Sequence, residues 1–436
     1  MYKKTCLRSM GAAVVLGALT LAGTAGAQDK PTEAKPPAAW VDGITFGGYL
    51  EAGSTWNLNG RSPNNKNFGR LFDDRNRQFQ LNQLALLVQR KIDPTIEGYD
   101  FGFKFHGIYG SDARYTHFLH EFQNATGESY NQFDIVEANV QAHTPWFTDG
   151  GFDIKAGQYV TLEGAETIDP TTNFLYSHSY IFNFGIPFKH TGVITTLHAT
   201  SMLDIYLGID TGVNTAIGDD RDNNGSPAFH GGFGLNLLEG NLTSLWTTHI
   251  GPENPSLASN GVILPRGANK KNRYLNDITT IWKVTDAFQL INDLNYIQDD
   301  CQALNGVTTT CRTARGYGMA QYAVYTVNDM ITIAARGEVW RDEEGIFVSQ
   351  FANNNDFVRA ENGLAAKGTV QSGGRTTYGS LTGGVNIKPA VEIPYLASLV
   401  VRPEVRYDTS LNDTRPFSNG TKHDQVTIAA DVILSF

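Results

Sequence analysis

The sequence predicts an all-β fold, a closed antiparallel transmembrane barrel of about sixteen strands with short turns at one end and long loops at the other. Three observations carry that expectation. The first is the final stretch, His423 to Phe436 (HDQVTIAADVILSF), in which Val426, Ile428, Ala430, Val432, Leu434 and Phe436 fall on every second position. The residues between them are small or polar, except Ile433. A strand sends alternate side chains to opposite faces, so one face is apolar and the other mostly wet. The second is a series of strand-like segments whose connections alternate between long and short. The third is that no later stretch approaches the ~20 consecutive apolar residues a membrane helix requires.

Taken in order, Met1 to Ala27 has the form of a secretory signal. Lys3, Lys4 and Arg8 are its basic start, Ala12 to Ala22 its apolar centre, and Ala25-Gly26-Ala27 a small-residue cleavage site. Cys6 precedes the apolar centre, which argues against a lipid anchor. The chain is therefore expected to leave the cytoplasm and to begin, once processed, near Gln28. Residues 28–43 open with a polar, Pro-rich leader (QDKPTEAKPPAA) that has nothing to bury. The barrel is expected over residues 44–436.

Sixteen segments have strand character, at about 44–57, 78–91, 99–112, 130–144, 152–161, 190–200, 202–214, 228–238, 242–250, 274–285, 287–299, 316–328, 330–342, 376–388, 397–409 and 423–436. Faces are clear in some of them. Phe46, Gly48, Leu50, Ala52 and Trp56 oppose Thr45, Tyr49, Glu51 and Thr55; Leu203, Ile205, Leu207 and Ile209 oppose Asp204, Tyr206 and Asp210; Leu399, Val401, Val405 and Tyr407 oppose Arg402, Glu404, Arg406 and Asp408. The segment from Phe79 to Val88 is muddier and allows no assignment. Alternation alone does not separate a soluble sandwich from a membrane barrel. The loop rhythm does. Long connections at 58–77, 113–129, 162–189, 215–227, 251–273, 300–315, 343–375 and 410–422 are separated by short turns, as in transmembrane barrels and unlike Greek-key sandwiches. Eighteen Tyr, twenty-four Phe and six Trp are enough to furnish two interfacial girdles.

The formal charge of −10 becomes −13 once the three basic residues of the signal are removed, which excludes nucleic acid as a partner. Cys301 and Cys311 remain in a compartment that permits disulfides; they form either a local loop staple or two unpaired thiols.

Ser179–Val193 (SYIFNFGIPFKHTGV), the opening strand with Gly47-Gly48-Tyr49 and the terminal strand together resemble the putative β-barrel porin-2 family of bacterial outer-membrane proteins, over roughly Ile44 to Phe436. The resemblance implies an outer-membrane pore. Likeness to barrel proteins generally implies that the outer-membrane assembly machinery reads the terminal strand ending at Phe436. In general porins the loop after the fifth strand narrows the lumen. Here the 162–189 connection carries Glu163, Glu166 and Asp169, with no basic residue before Lys189. Folded inward, these carboxylates would favour cations, with Arg336, Arg402, Glu404 and Arg406 as opposing lumen candidates. The alternative is an ordinary solvated loop.

Asp220, Asp222 and Asn224, followed by Gly225, match the start of a calcium loop, but position twelve is Gly231 rather than a bidentate Glu. An acidic turn is the plainer reading. His117, His120 and Glu121 lie close in sequence without a rigid scaffold to hold a metal. No nucleophile elbow, phosphate loop or zinc-protease helix is present, so the chain is not expected to be an enzyme and needs no cofactor.

Sixteen strands leave room for water. The expected function is therefore passive diffusion of small hydrophilic solutes or ions through a pore in the outer-membrane lipid. Analogy with general porins adds a homotrimer. The rivals are an adhesive or structural barrel with a closed lumen, and a barrel enzyme.

Overall fold

The computed structural model describes residues 40–59, 65–118, 120–122, 129–217, 222–255, 267–302, 312–390 and 393–436. The barrel strands are β1 (Thr45–Asn57), β2 (Phe79–Arg90), β3 (Asp100–Gly110), β4 (Gln132–Thr144), β5 (Phe152–Val160), β6 (Lys189–Thr200), β7 (Leu203–Asp210), β8 (Ala228–Leu237), β9 (Leu242–Pro252), β10 (Asn272–Lys283), β11 (Phe288–Gln302), β12 (Arg312–Asn328), β13 (Ile331–Asp342), β16 (Thr376–Ile387), β17 (Ser398–Ser410) and β18 (Asp424–Ser435). The remaining two, β14 (Ser349–Phe351) and β15 (Val370–Ser372), pair with each other inside the 343–375 loop. Each of the sixteen expected segments is a barrel strand, displaced by a few residues at most.

Every barrel strand pairs antiparallel with its sequence neighbour in the barrel, and β18 returns to β1, so the ring closes. The seam runs from Tyr49 opposite Ser435 to Asn57 opposite Thr427. It continues one step further, because Phe436 N–H donates to Gly48 O at 3.0 Å and Gly48 N–H donates to Phe436 O at 2.9 Å. Closure matters because an open sheet edge in lipid leaves backbone groups with no partner. Gln425, Thr427 and Asp431 point inward and are buried, while Ile428 and Phe436 are exposed on the outer face, as the alternation in the sequence requires.

A side chain at position 48 has no room. A Cβ there would lie 2.3 Å from the Ala85 carbonyl oxygen and 2.6 Å from the Phe436 ring. Gly48→Val is therefore expected to block closure. Heat-modifiable gel mobility, which separates closed from open barrels, should show loss of the compact band.

The muddy alternation of 79–88 has a local cause. The register of β2 against β1 steps from Gln83 opposite Glu51 to Leu81 opposite Ala52, leaving Asn82 extra. Gln80, Asn82, Gln83 and Ala85 are all buried as a result. A bulge inserts one residue and shifts the period by one.

Exposed aromatic side chains mark both rims. Trp56, Phe79, Tyr109, Tyr317 and Tyr407 stand near the long-loop end, and Trp40, Tyr99, Trp146, Trp282 and Tyr325 near the short-turn end. Amphipathic rings favour these interfacial depths. Trp40–Gly43 forms one 3-10 turn tied to the short-turn rim. There Trp40 Nε1 donates to Phe101 O at 2.8 Å and Arg90 Nε donates to Trp40 O at 3.1 Å. The signal and the rest of the leader lie outside the described residues.

Candidate functional site

The lumen holds a second layer of structure. Thr161 N–H donates to Phe188 O at 3.1 Å, extending the β5–β6 ladder by one step. Residues 162–187 then turn into the barrel. Two short turns apart, Pro170–Thr172 and Ile181–Gly185, this backbone is irregular. Irregular backbone at membrane depth survives only where protein or water satisfies its polar groups. Here the barrel wall does so with charged side chains.

Carboxylates receive the N–H groups. Asp277 Oδ1 accepts from Gly164 N and Asp293 Oδ2 from Ala165 N, each at 3.0 Å. Glu404 Oε2 accepts from Ser177 N at 3.1 Å, and Glu338 Oε1 accepts from Tyr180 N at 2.5 Å and Ile181 N at 3.2 Å. Gly164 makes its turn at φ +86°, a left-handed conformation that glycine adopts without strain. Guanidinium and amide groups receive the carbonyls. Arg402 Nη1 donates to Pro170 O at 3.0 Å and Asn173 O at 2.7 Å; Arg336 Nη1 donates to Ser177 O at 2.8 Å; Arg406 Nη1 donates to His178 O. Gln83 and Asn295 hold Ile168 O and Gly185 O from other sides of the barrel, at 2.8 and 3.1 Å.

The sequence-predicted candidates therefore meet, but as fasteners. Glu166 pairs with Arg336 at 2.5 Å and also accepts from Tyr322 Oη at 2.9 Å. Burial alone would raise the Glu166 carboxyl; Arg336 and His178 overcome that and hold it well below the usual range. Asp169 caps its own turn, accepting from Thr171 N at 2.9 Å. Glu163 is buried with neither oxygen hydrogen-bonded, and burial pushes its carboxyl up to about 8. Lys189 bonds Asp134 at 2.6 Å rather than any of the three. Arg402 bridges Glu51 at 3.0 Å and Asp431 at 2.5 Å, and Arg406 pairs with Asp408 at 2.8 Å. The three carboxylates of the expected cation-favouring loop are thus placed differently: Glu166 is paired with Arg336, Asp169 caps its own turn and Glu163 is buried without a hydrogen bond.

An apolar layer sits on the external side of the segment. Phe182 stacks on His178 with centroids 3.9 Å apart and meets Phe72 and Phe188 at 5.4 and 5.0 Å. Phe357, from the helix Asp356–Glu361 of the 343–375 loop, meets Phe188 at 5.9 Å. Among the described residues, parts of the 58–77, 162–189 and 343–375 loops thus pack against one another over the lumen. A cavity of about 500 Å³ remains between this loop and the β10–β11 wall, lined by Phe184, Arg273, Leu275, Ile297, Phe351 and Glu361. A smaller one of about 60 Å³ lies by Lys104, His106, Glu137 and Glu163. Ile186 and Pro187 line both.

Other sequence candidates fare differently. Asp222 Oδ1 accepts from Asn224 N and Gly225 N at 2.9 Å each, an ordinary acidic turn; Asp220 lies outside the described residues. Cys301 is buried and disulfide-bonded, while its expected partner Cys311 lies outside them too. His117 bonds the Ala113 carbonyl at 2.6 Å and sits in no metal cluster among the described residues. Sequence reasoning missed Asp277, Asp293 and Glu338 as anchors. Their signal was a carboxylate at a lumen-facing position, which means little until the segment it holds is known.

Among the solved structures that share the barrel are three that each cover 90% of this chain. They are the outer membrane channel DcaP of Acinetobacter baumannii (11% identical, TM-score 0.52, 97% of that chain), the outer membrane protein OmpT of Vibrio cholerae in its trimer form (11%, 0.51, 99%) and an anion-selective porin from Comamonas acidovorans (9%, 0.52, 99%). At such identities the likeness concerns the fold. No curated protein matches the chain. The family description "Putative beta-barrel porin-2, OmpL-like" matches residues 43–436, the whole of the barrel. The chain belongs to that porin family, and its place is the bacterial outer membrane.

Proposed function

We propose that small hydrophilic solutes or ions cross this barrel by passive diffusion along a path whose width is set by the 162–187 segment. The supporting observation is that Ile186 and Pro187, from this segment, line both the larger cavity and the smaller one. The Ile186 side chain packs on Gly164, where an added Cβ would approach it to 2.6 Å, so its bulk is part of the constriction. No energy-coupling element and no chemical step are required, and the protein acts as a channel rather than an enzyme.

Planar-bilayer recording tests the path. Ile186→Gly should enlarge the single-channel step and Ile186→Trp should shrink it, with the closed barrel intact on gels. Identical steps in both variants would place the path elsewhere. A trimer is the assembly we propose, supported by the trimer form recorded for the Vibrio cholerae neighbour; chemical cross-linking in detergent checks it.

A further inference from the structure

Four lumen-facing side chains on consecutive strands converge away from the anchors: His190 on β6, Asp210 on β7, His230 on β8 and His249 on β9. The registers put them together, since His230 lies directly opposite His249 and Asp210 opposite Gly192, two residues from His190. All four are fully or almost fully buried. His190 Nδ1 is 3.4 Å and His230 Nδ1 3.8 Å from Asp210 Oδ2, and His249 Nε2 is 3.0 Å from Asp210 Oδ1. The potential ligand atoms of His190, Asp210 and His230 all lie within 4.8 Å of one another.

We propose that this cluster binds one divalent transition-metal ion of the zinc class, with His190, Asp210 and His230 as ligands. The first reason is unmet bonding. His230 makes a hydrogen bond through neither ring nitrogen, and Asp210 Oδ2 accepts none. Buried polar groups in that state are rare and call for an explanation. Other histidines of this barrel differ from His230: His198 bonds Asp153 at 3.1 Å and Asp204 at 2.7 Å, and His190 itself bonds Gly212 O and Thr161 Oγ1 at 3.2 Å each, one through each nitrogen. The second reason is donor chemistry. Two imidazoles and a carboxylate suit zinc and its neighbours, whereas calcium and magnesium take oxygen ligands. The third is spacing. Tetrahedral zinc with bonds of ~2.1 Å holds its donors ~3.4 Å apart. His190 Nδ1 lies 3.4 Å from Asp210 Oδ2 but also 3.2 Å from Gly212 O, so ligation through it exchanges that hydrogen bond for the metal, and the His230–Asp210 distance needs to close by a few tenths of an ångström. His249, bonded to the other carboxylate oxygen, orients Asp210 as outer partners commonly orient metal-binding groups.

The site stands whether or not the barrel conducts, so its test is independent of channel recordings. The purified, folded barrel is stripped with chelator and titrated with Zn²⁺ by calorimetry, with metal content measured after gel filtration. The expected result is one Zn²⁺ per chain, retained against excess Ca²⁺ and Mg²⁺. His230→Gln should abolish that retention, His249→Gln should weaken affinity by roughly 10–100-fold, and His198→Gln should leave it unchanged. Co²⁺ provides a reading on the unmodified chain that does not depend on a variant folding: strong visible bands of a low-coordinate nitrogen–oxygen site are expected. Absence of both stoichiometric zinc and those bands overturns the proposal, as does zinc retention unaltered in a folded His230→Gln barrel.

Discussion

Replacing residues 163–187 with a short Gly-Ser linker is expected to raise single-channel conductance several-fold, the largest functional change any alteration of this chain should produce. A sixteen-stranded ring is wide enough for an aqueous channel when nothing fills it. Here the segment fills it and is fastened from many sides: by Asp277 and Asp293 on β10 and β11, by Arg336 and Glu338 on β13, and by Arg402, Glu404 and Arg406 on β17. The sheet hydrogen bonds that close the barrel involve none of these residues' side chains. The trimmed chain should still run as a compact barrel on gels, with the wider path as the main difference. Steps of unchanged size in a closed, trimmed barrel would mean that the segment does not set the width.

Arg402→Met is expected to cost much of the stability of the closed barrel. Its guanidinium sits between Glu51 on β1 and Asp431 on β18 while donating to Pro170 O and Asn173 O. It thus joins the closing seam to the inward segment, and its side chain is almost fully buried. Removing one partner of a buried ion pair strands the other, at a cost of about 3–5 kcal/mol. Methionine keeps most of the side-chain volume, so the loss reports charge rather than packing. Urea-driven unfolding followed by gel mobility should show a lower midpoint. Asp431→Asn combined with Arg402→Met should recover part of the loss, because the double change removes a stranded charge.

The barrel was legible in the sequence because its two signals are local and repetitive. Period-two alternation in stretches such as 203–210 and 399–408 needs only the strand's own residues, and the long-short loop rhythm needs only their spacing. Alternation failed at 79–88 because the bulge at Asn82 puts two consecutive amides on the inner face. The site was half legible. Glu166, Arg336, Arg402, Glu404 and Arg406 were identifiable as lumen charges, and the structure does gather them. Their role was not, since a carboxylate facing water and one facing a buried N–H look alike in sequence. Glu163 shows the same limit, because its burial without a hydrogen-bond partner arises only in the packed loop. The cluster at 190, 210, 230 and 249 was hidden for another reason: its members come from four strands, and only the register brings them to one height.

The most direct test of a barrel pore narrowed by its own loop is liposome swelling with the unmodified protein and uncharged solutes of increasing size. Swelling with the smallest solutes and a sharp loss with slightly larger ones is predicted, with the cutoff moving upward when 163–187 is trimmed. No swelling at any size from either closed barrel, whole or trimmed, would contradict it.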